Sequence, residues 1–192
     1  YLEMLGKSTK IIQNKVMSLR MIPIRDTFLK MKRVARDVSK KTGKEVELII
    51  SGEETEIDKT MVDKVSEPLI HLLRNSIDHG IENEETRVEK GKEPKGTVYL
   101  SASHKGSNFV IEIKDDGAGI SKEKVLKKAI ERGIADDKTE YTDEDIVNFI
   151  FQAGFSTANS ITDVSGRGVG LDAVKTSIEE LRGKLNVETI EG

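Results

Sequence analysis

The sequence predicts an α+β fold, a two-layer α/β sandwich with a mixed, mostly antiparallel sheet covered on one face by helices and preceded by an N-terminal helix. Three observations carry this. Long stretches with apolar residues at threes and fours alternate with short stretches of alternating character. The two best strand candidates, TVYLSAS (97–103) and NFVIEIKDD (108–116), are separated only by a turn containing Gly106, so they pair antiparallel. Apolar residues make up 36% of the 192 residues and charged ones 34%, enough for a core beneath a heavily charged surface.

Residues 2–21 read as an amphipathic helix with Leu5, Ile12, Val16 and Leu19 in its stripe, stopped by Pro23. A second, basic helix follows over 26–41 (Phe28, Met31, Val34, Ala35, Val38) and closes at Gly43. EVELII (45–50) alternates and ends at Ser51-Gly52, as a strand does. Residues 58–80 are expected to be helical, with Ser66 as an N-cap and Pro68 early in a new segment. Beyond the 97–116 hairpin, helices are expected at 122–132 and 143–151, the latter opened by a Thr142/Asp145 capping box. Residues 152–170, rich in Gly, Ser and Thr, read as a loop. A helix at 171–181 ended by Gly183, then a strand at 184–190, complete the pattern. No internal repeat occurs.

Net charge is −3 with both signs interspersed, which argues against a dedicated nucleic-acid surface. There is no cysteine, so disulfides, thiolate metal sites and cysteine nucleophiles are excluded. No apolar run approaches the ~18 residues a spanning helix needs, so no direct membrane insertion is expected and a cytoplasmic location fits. The chain begins without methionine and stops at VETIEG, so it is expected to be a piece of something longer.

Three stretches carry chemistry. In HLLRNSIDHG (71–80), a continuous helix would set His71, Asn75 and Asp78 on one strip with His79 at its edge, while Ile70, Leu73, Ile77 and Ile81 face the core. Alone, a His and an Asn at that spacing are ordinary surface residues. An Asn oxygen also suits Mg²⁺ that holds phosphates. DDGAGI (115–120) places Asp115 at a strand end before Gly117 and Gly119; alone it is an Asp-Gly turn, but a helix rather than a partner strand comes next. SGRGVGLDAVK (165–175) sets Gly166, Gly168 and Gly170 before a helix, with Arg167 as a further cation. It is either a flexible loop or a phosphate site made of free backbone N–H groups. No Rossmann GxGxxG, P-loop or protein-kinase HRD/DFG set is present. A metal-suited amide, a strand-end carboxylate fit for an adenine amine and a glycine-rich helix start, in this order, point jointly to ATP.

These stretches resemble the N, G1 and G2 boxes of the histidine-kinase branch of the GHKL superfamily, whose members include DNA gyrase, Hsp90 and MutL. GFSTA (154–158) is similar to its F box. Within that branch, MSLRMIPI (17–24), EPLIHLLRNSIDHGIE (67–82) and GFSTA…ITDVSGRGVGLDAVK (154–175) resemble the chemotaxis sensor kinases most closely. The resemblance runs from Met17 to the end and implies the GHKL (Bergerat) form of the sandwich.

It further implies that Asn75 coordinates the Mg²⁺ of Mg·ATP, with His71 as a second metal ligand, and that Asp115 reads the adenine amine in a pocket shaped by Gly117 and Gly119. By the same resemblance Phe155, Ser156 and Thr157 belong to a lid, Gly166, Arg167, Gly168 and Gly170 line the phosphates, and Asp78, His79 and Lys124 border the nucleotide. His71 departs from the ATPase members, which carry a glutamate general base four residues before the asparagine. An imidazole there implies that the γ-phosphate is kept for another acceptor. The resemblance makes that acceptor a histidine on a separate phosphotransfer domain of the same kinase, reached in trans within a homodimer. Residues 1–20 would be the end of a helical dimerisation domain and 21–192 the ATP-binding catalytic domain, its final strand truncated. A coupling protein and chemoreceptors would act through other domains, at receptor arrays on the inner face of the membrane. The alternative is a GHKL ATPase or an anti-sigma-type serine kinase, for either of which Glu is expected at position 71.

Overall fold

A computed structural model describes residues 20–155 and 170–192. The expected N-terminal helix lies outside them except at its end, and there Met21 is in a strand. Strand β1 (Met21–Pro23) pairs antiparallel with β3 (Glu56–Asp58), Met21 opposite Asp58 and Pro23 opposite Glu56. Pro23 therefore ends a two-stranded ribbon rather than a helix, a position its missing N–H permits.

Helix α1 (Arg25–Thr42) buries Thr27, Phe28, Met31 and Ala35 and ends at Gly43, whose φ of 67° is left-handed. Strand β2 (Val46–Ser51) follows. Helix α2 (Lys59–Asn75) is uninterrupted, which corrects the expected break at Ser66–Pro68. Its N-cap is Asp58, whose carboxylate accepts from the Thr60 N–H at 2.8 Å. The Ser66 hydroxyl instead donates back to the Val62 carbonyl at 2.8 Å. Pro68 is buried in the core, and that packing offsets a backbone bond whose loss costs about 3 kcal/mol in an exposed helix.

The helix does not run on as α to residue 80. Ser76–Gly80 widens into a π-turn, closed by the Ile81 N–H on the Ser76 carbonyl at 2.8 Å. A short helix absent from the sequence reading, α3 (Glu84–Glu89), is capped by Asn83.

Strands β4 (Gly96–Lys105) and β5 (Asn108–Asp115) form the expected antiparallel hairpin, with Val98 opposite Asp115 and Lys105 opposite Asn108. β2 joins β4 in parallel, so the sheet order is β2-β4-β5 and the sheet is mixed. Among the described residues only one face is covered. Val98, Leu100 and Ala102 of β4 are buried against Phe28 and Met31 of α1 and Leu69 and Leu73 of α2, while Ile49 and Tyr99 on the other face remain exposed. Burying each large apolar side chain contributes roughly 1.5–3 kcal/mol. The architecture is the α+β two-layer form expected.

A second apolar cluster is built from α4 (Lys122–Glu131), α5 (Asp143–Asn148) and the 3₁₀ turn Phe149–Phe151. The Thr142/Asp145 capping box is present. Helix α6 (Leu171–Glu180) packs on α2. It is Arg182, not Gly183, that takes the left-handed conformation after it, with φ 58°. Gly183 is required for a different reason, since a Cβ there would sit 2.9 Å from the Ile178 side chain. The expected strand 184–190 does not form a ladder. Its Thr189 hydroxyl accepts from the Ile120 N–H at 2.8 Å, and the Gly192 N–H reaches the Ala118 carbonyl at 3.2 Å. A side chain thus occupies a position a ladder would give to backbone. Among the described residues no helix is long and apolar enough to cross a membrane.

Candidate functional site

The turn after β5 and the π-turn after α2 meet. The Ala118 N–H donates to the Gly80 carbonyl at 2.8 Å, and the Gly117 N–H donates to the Asp115 carboxylate at 3.1 Å. The approach is closer than any side chain allows. A Cβ on Gly117 would lie 2.0 Å from the Gly80 oxygen and 2.8 Å from Asp115 Oδ1, and a Cβ on Gly80 would lie 3.1 Å from both carboxylate oxygens. Asp115 and the end of the 71–80 stretch are therefore neighbours because Gly117 lacks a side chain, and a Cβ at Gly80 would crowd the same contact. Gly119, at φ 71°, turns beneath the last residues, and its Cβ would strike the Ile190 carbonyl at 2.1 Å.

Asn75 is the last residue of α2, half-buried, and its side-chain amide makes no hydrogen bond among the described residues. His71 is also half-buried, one turn earlier. Burial holds its imidazole below the ordinary 6.5; the Arg74 cation adds to this, the Asp172 carboxylate of α6 opposes it, and His79 adds a little. The imidazole is neutral at pH 7, so its ring has a lone pair free to accept a proton or a metal. Asp78 and His79 are exposed and lie 3.9 Å apart on the π-turn. The wider turn ends the single strip that a regular α-helix would have formed.

Lys124 is exposed on α4, and no hydrogen bond or ion pair joins it to Asn75 or Asp115 among the described residues. Phe155 is buried in the second cluster under the Lys128 ammonium, 5.0 Å from the ring centroid, and the Arg132 guanidinium donates to its carbonyl at 2.8 Å. Gly170 is the N-cap of α6, in extended backbone. Ser156, Thr157, Gly166, Arg167 and Gly168 lie outside the described residues. Two grooves on the described surface, of about 600 and 540 Å³, are bordered by neither Asn75 nor Asp115.

The sequence reading missed Arg87. This guanidinium is 1% exposed. It donates to Glu82 at 3.2 Å, to the Asp116 carboxylate at 2.9 Å and to the Glu93 carbonyl at 2.7 Å. Lys92 joins it, reaching Glu82 at 3.1 Å and the Gly117 carbonyl at 2.8 Å. Burial pushes the Glu82 carboxyl up, but hydrogen bonds from its own backbone N–H and from Lys92 outweigh burial and hold it below the ordinary carboxylate range. Asp116 also accepts from the Thr97 N–H at 2.9 Å. The network fastens the turn bearing Asp115 to the segment between the π-turn and β4. Its one legible signal was the second carboxylate of the Asp115-Asp116 pair.

For a nucleotide and its metal, the donor set fits. A carboxylate with one oxygen engaged by backbone, a glycine-lined contact, an unengaged amide and a neutral imidazole are the groups such a ligand uses. Among the described residues no group of three or more acidic, His or Cys side chains forms a metal cage by itself.

Comparison with known proteins agrees with this geometry. The chain is 49% identical over 191 residues to the chemotaxis protein CheA of Rhizobium meliloti, a match covering 100% of the chain and 25% of that relative. The CheA of Bacillus subtilis is 48% identical over 183 residues (94% of the chain, 27% of the relative). That of Salmonella typhimurium is 45% identical over 188 residues (98% and 28%). The chain thus spans about a quarter of the length of these relatives. The profile of the histidine kinase-, DNA gyrase B- and HSP90-like ATPases matches residues 63–192, and the chain belongs to that family.

Proposed function

We propose that this chain is the ATP-binding catalytic domain of a chemotaxis histidine kinase, which holds Mg·ATP and directs its γ-phosphate to a histidine on a separate phosphotransfer domain, in trans within a dimer. The observation that carries the reading is the contact between the π-turn and the Asp115 turn, which sets a strand-end carboxylate beside the helix whose last residue is Asn75.

In this reading Asp115 accepts a hydrogen bond from the adenine amine, through the oxygen that Gly117 does not occupy. Gly117 and Gly119 keep the turn open to the base. Asn75 offers its amide oxygen to Mg²⁺, and neutral His71 stands behind it as a second ligand or an orienting group. Bound Mg·ATP supplies the transferable phosphoryl group and the cation that offsets its charge. Gly170, with Gly166, Arg167 and Gly168, would hold the phosphates, Ser156 and Thr157 would move with the lid, and buried Phe155 would anchor it. Asp78, His79 and Lys124 would border the phosphates from the solvent side. The attacking imidazole comes from the acceptor domain, so this chain positions and neutralises instead of forming a covalent bond to the phosphate. His71, held neutral by burial where an ATPase keeps glutamate, favours a kinase over an ATPase. Coupling protein, chemoreceptors and a cytoplasmic place at receptor arrays belong to the same proposal, through the other domains.

The test is transfer of ³²P from γ-labelled ATP to a supplied CheA-type phosphotransfer domain, beside titration with ATP and GTP. Labelling of the acceptor histidine and preference for ATP are expected. Equal affinity for the two nucleotides would remove Asp115 as reader of the base, and free phosphate released faster than acceptor is labelled would favour the ATPase.

A further inference from the structure

A π-turn leaves its carbonyl groups poorly served, and their partners can be counted. Ser76 receives the Ile81 N–H and Gly80 receives the Ala118 N–H. The carbonyls of Ile77, Asp78 and Ile81 all converge on one ammonium. Lys44 Nζ lies 3.1 Å from Ile77 O, 2.5 Å from Asp78 O and 2.7 Å from Ile81 O. Three acceptors match its three N–H donors. The cation also lies at the negative end of the α2 dipole.

How Lys44 arrives there is equally specific. Gly43 ends α1 in the left-handed conformation, and the Lys44 N–H closes that turn on the Ser39 carbonyl at 3.2 Å. The chain is thereby aimed back toward the end of α2, and the half-buried Lys44 stem crosses to the π-turn. No other described side chain donates to these three carbonyls.

We propose that Lys44 is a positioning residue for the nucleotide site. Its ammonium holds Ser76–Gly80 in the widened turn, so that the Gly80 carbonyl faces the Ala118 N–H and the Asp115 carboxylate stays seated against Gly80. Lys44 touches no candidate nucleotide-binding side chain; of those residues it meets only Asp78, at its backbone carbonyl, and it acts through the turn. The proposal deepens the ATP-binding reading and rests on it for its binding arm; its exchange arm does not.

The experiment compares Lys44→Met, Lys44→Gln and Lys44→Arg in the full 192-residue chain. Without ligand, amide hydrogen exchange at Ile81 and Ala118 is expected to accelerate about tenfold or more in Lys44→Met, less in Lys44→Gln, and to return near wild type in Lys44→Arg, while β4 and β5 amides keep their rates. With Mg·ADP, calorimetry is expected to give a matching loss of affinity, restored by Lys44→Arg. Unchanged exchange at Ala118 would overturn the proposal, as would acceleration spread evenly over the sheet or an Arg variant no better than Met. If Lys44→Met does not fold, the Gln and Arg variants decide by the same criteria. Failure of wild type to bind Mg·ADP would remove the ATP reading and leave the exchange result to judge Lys44.

Discussion

Replacing Gly117 with alanine tests the contact on which the site depends. The added Cβ would lie 2.0 Å from the Gly80 carbonyl oxygen and 2.3 Å from its carbon, both backbone atoms that no rotamer change can move aside. The two turns must separate, which lengthens the Ala118 N–H···O=C Gly80 bond and the bond from Gly117 N–H to Asp115. A neutral backbone bond contributes about 1 kcal/mol and one to a carboxylate about 1.5 kcal/mol, so a site in which both are lost is misplaced by about 2.5 kcal/mol, roughly 60-fold in affinity. Calorimetric titration with Mg·ATP measures this directly, with circular dichroism to verify folding. Gly91→Ala is the control: that glycine is left-handed, at φ 73°, which Gly117 is not, and nothing lies within 4 Å of its Cβ position. It should lower stability without changing affinity. A Gly117→Ala chain that binds within about threefold of wild type, when roughly 60-fold is expected, would refute the argument that this contact positions Asp115.

Further outcomes follow from the same geometry. Asn75→Ala should abolish the Mg²⁺-dependent part of ATP binding, seen by titration with and without the metal; undiminished affinity would remove Asn75 as metal ligand. Arg87→Met leaves Glu82 and Asp116 without their shared cation, and breaking a buried pair costs about 3 kcal/mol at the lower end, suited here to a half-exposed Asp116. For a chain of this size that lowers Tm by roughly 6–12 °C, and a fall of under about 2 °C would count against the network. The His71 imidazole should titrate below 6.5 by NMR, and Asp172→Asn should lower its midpoint further by removing the opposing carboxylate. Because the folded pKa is depressed, the unfolded chain binds the proton first. This group's stabilising contribution is therefore present above pH 6.5 and is lost as pH falls through the folded midpoint. A midpoint at or above 6.5 would contradict burial as the cause.

Most outcomes set by one element's own residues were legible in the sequence, the Asn83-capped helix Glu84–Glu89 and the left-handed Arg182 excepted. The period of Phe28, Met31 and Ala35, the hairpin around Gly106, the Thr142/Asp145 capping box and the left-handed Gly43 are all local consequences of side-chain shape and backbone freedom. So was the candidate set itself, since Asn75, Asp115 and the glycines were recognisable by type and spacing. The other failures depended on distant partners. Pro68 reads as a break until the core that buries it is present, and 184–190 reads as a strand, whereas in the structure the Thr189 hydroxyl, not a backbone ladder, meets the Ile120 N–H. Ile77 and Ile81 kept the 71–80 stretch looking like regular helix.

The tertiary structure decided that the helix widens at Ser76, because carbonyls left free there find Lys44, more than thirty residues away, and Ala118 across the sheet. It also decided which charges are buried. Nothing near Arg87 in sequence shows that its guanidinium will be enclosed with Glu82 and Asp116 and hold the Asp115 turn in place. The sequence by itself determined most of the helices, the hairpin and the residue types proposed to meet a nucleotide, because these depend on neighbours along the chain. The contact between the π-turn and the Asp115 turn depended on backbone groups that only folding brings within hydrogen-bonding distance.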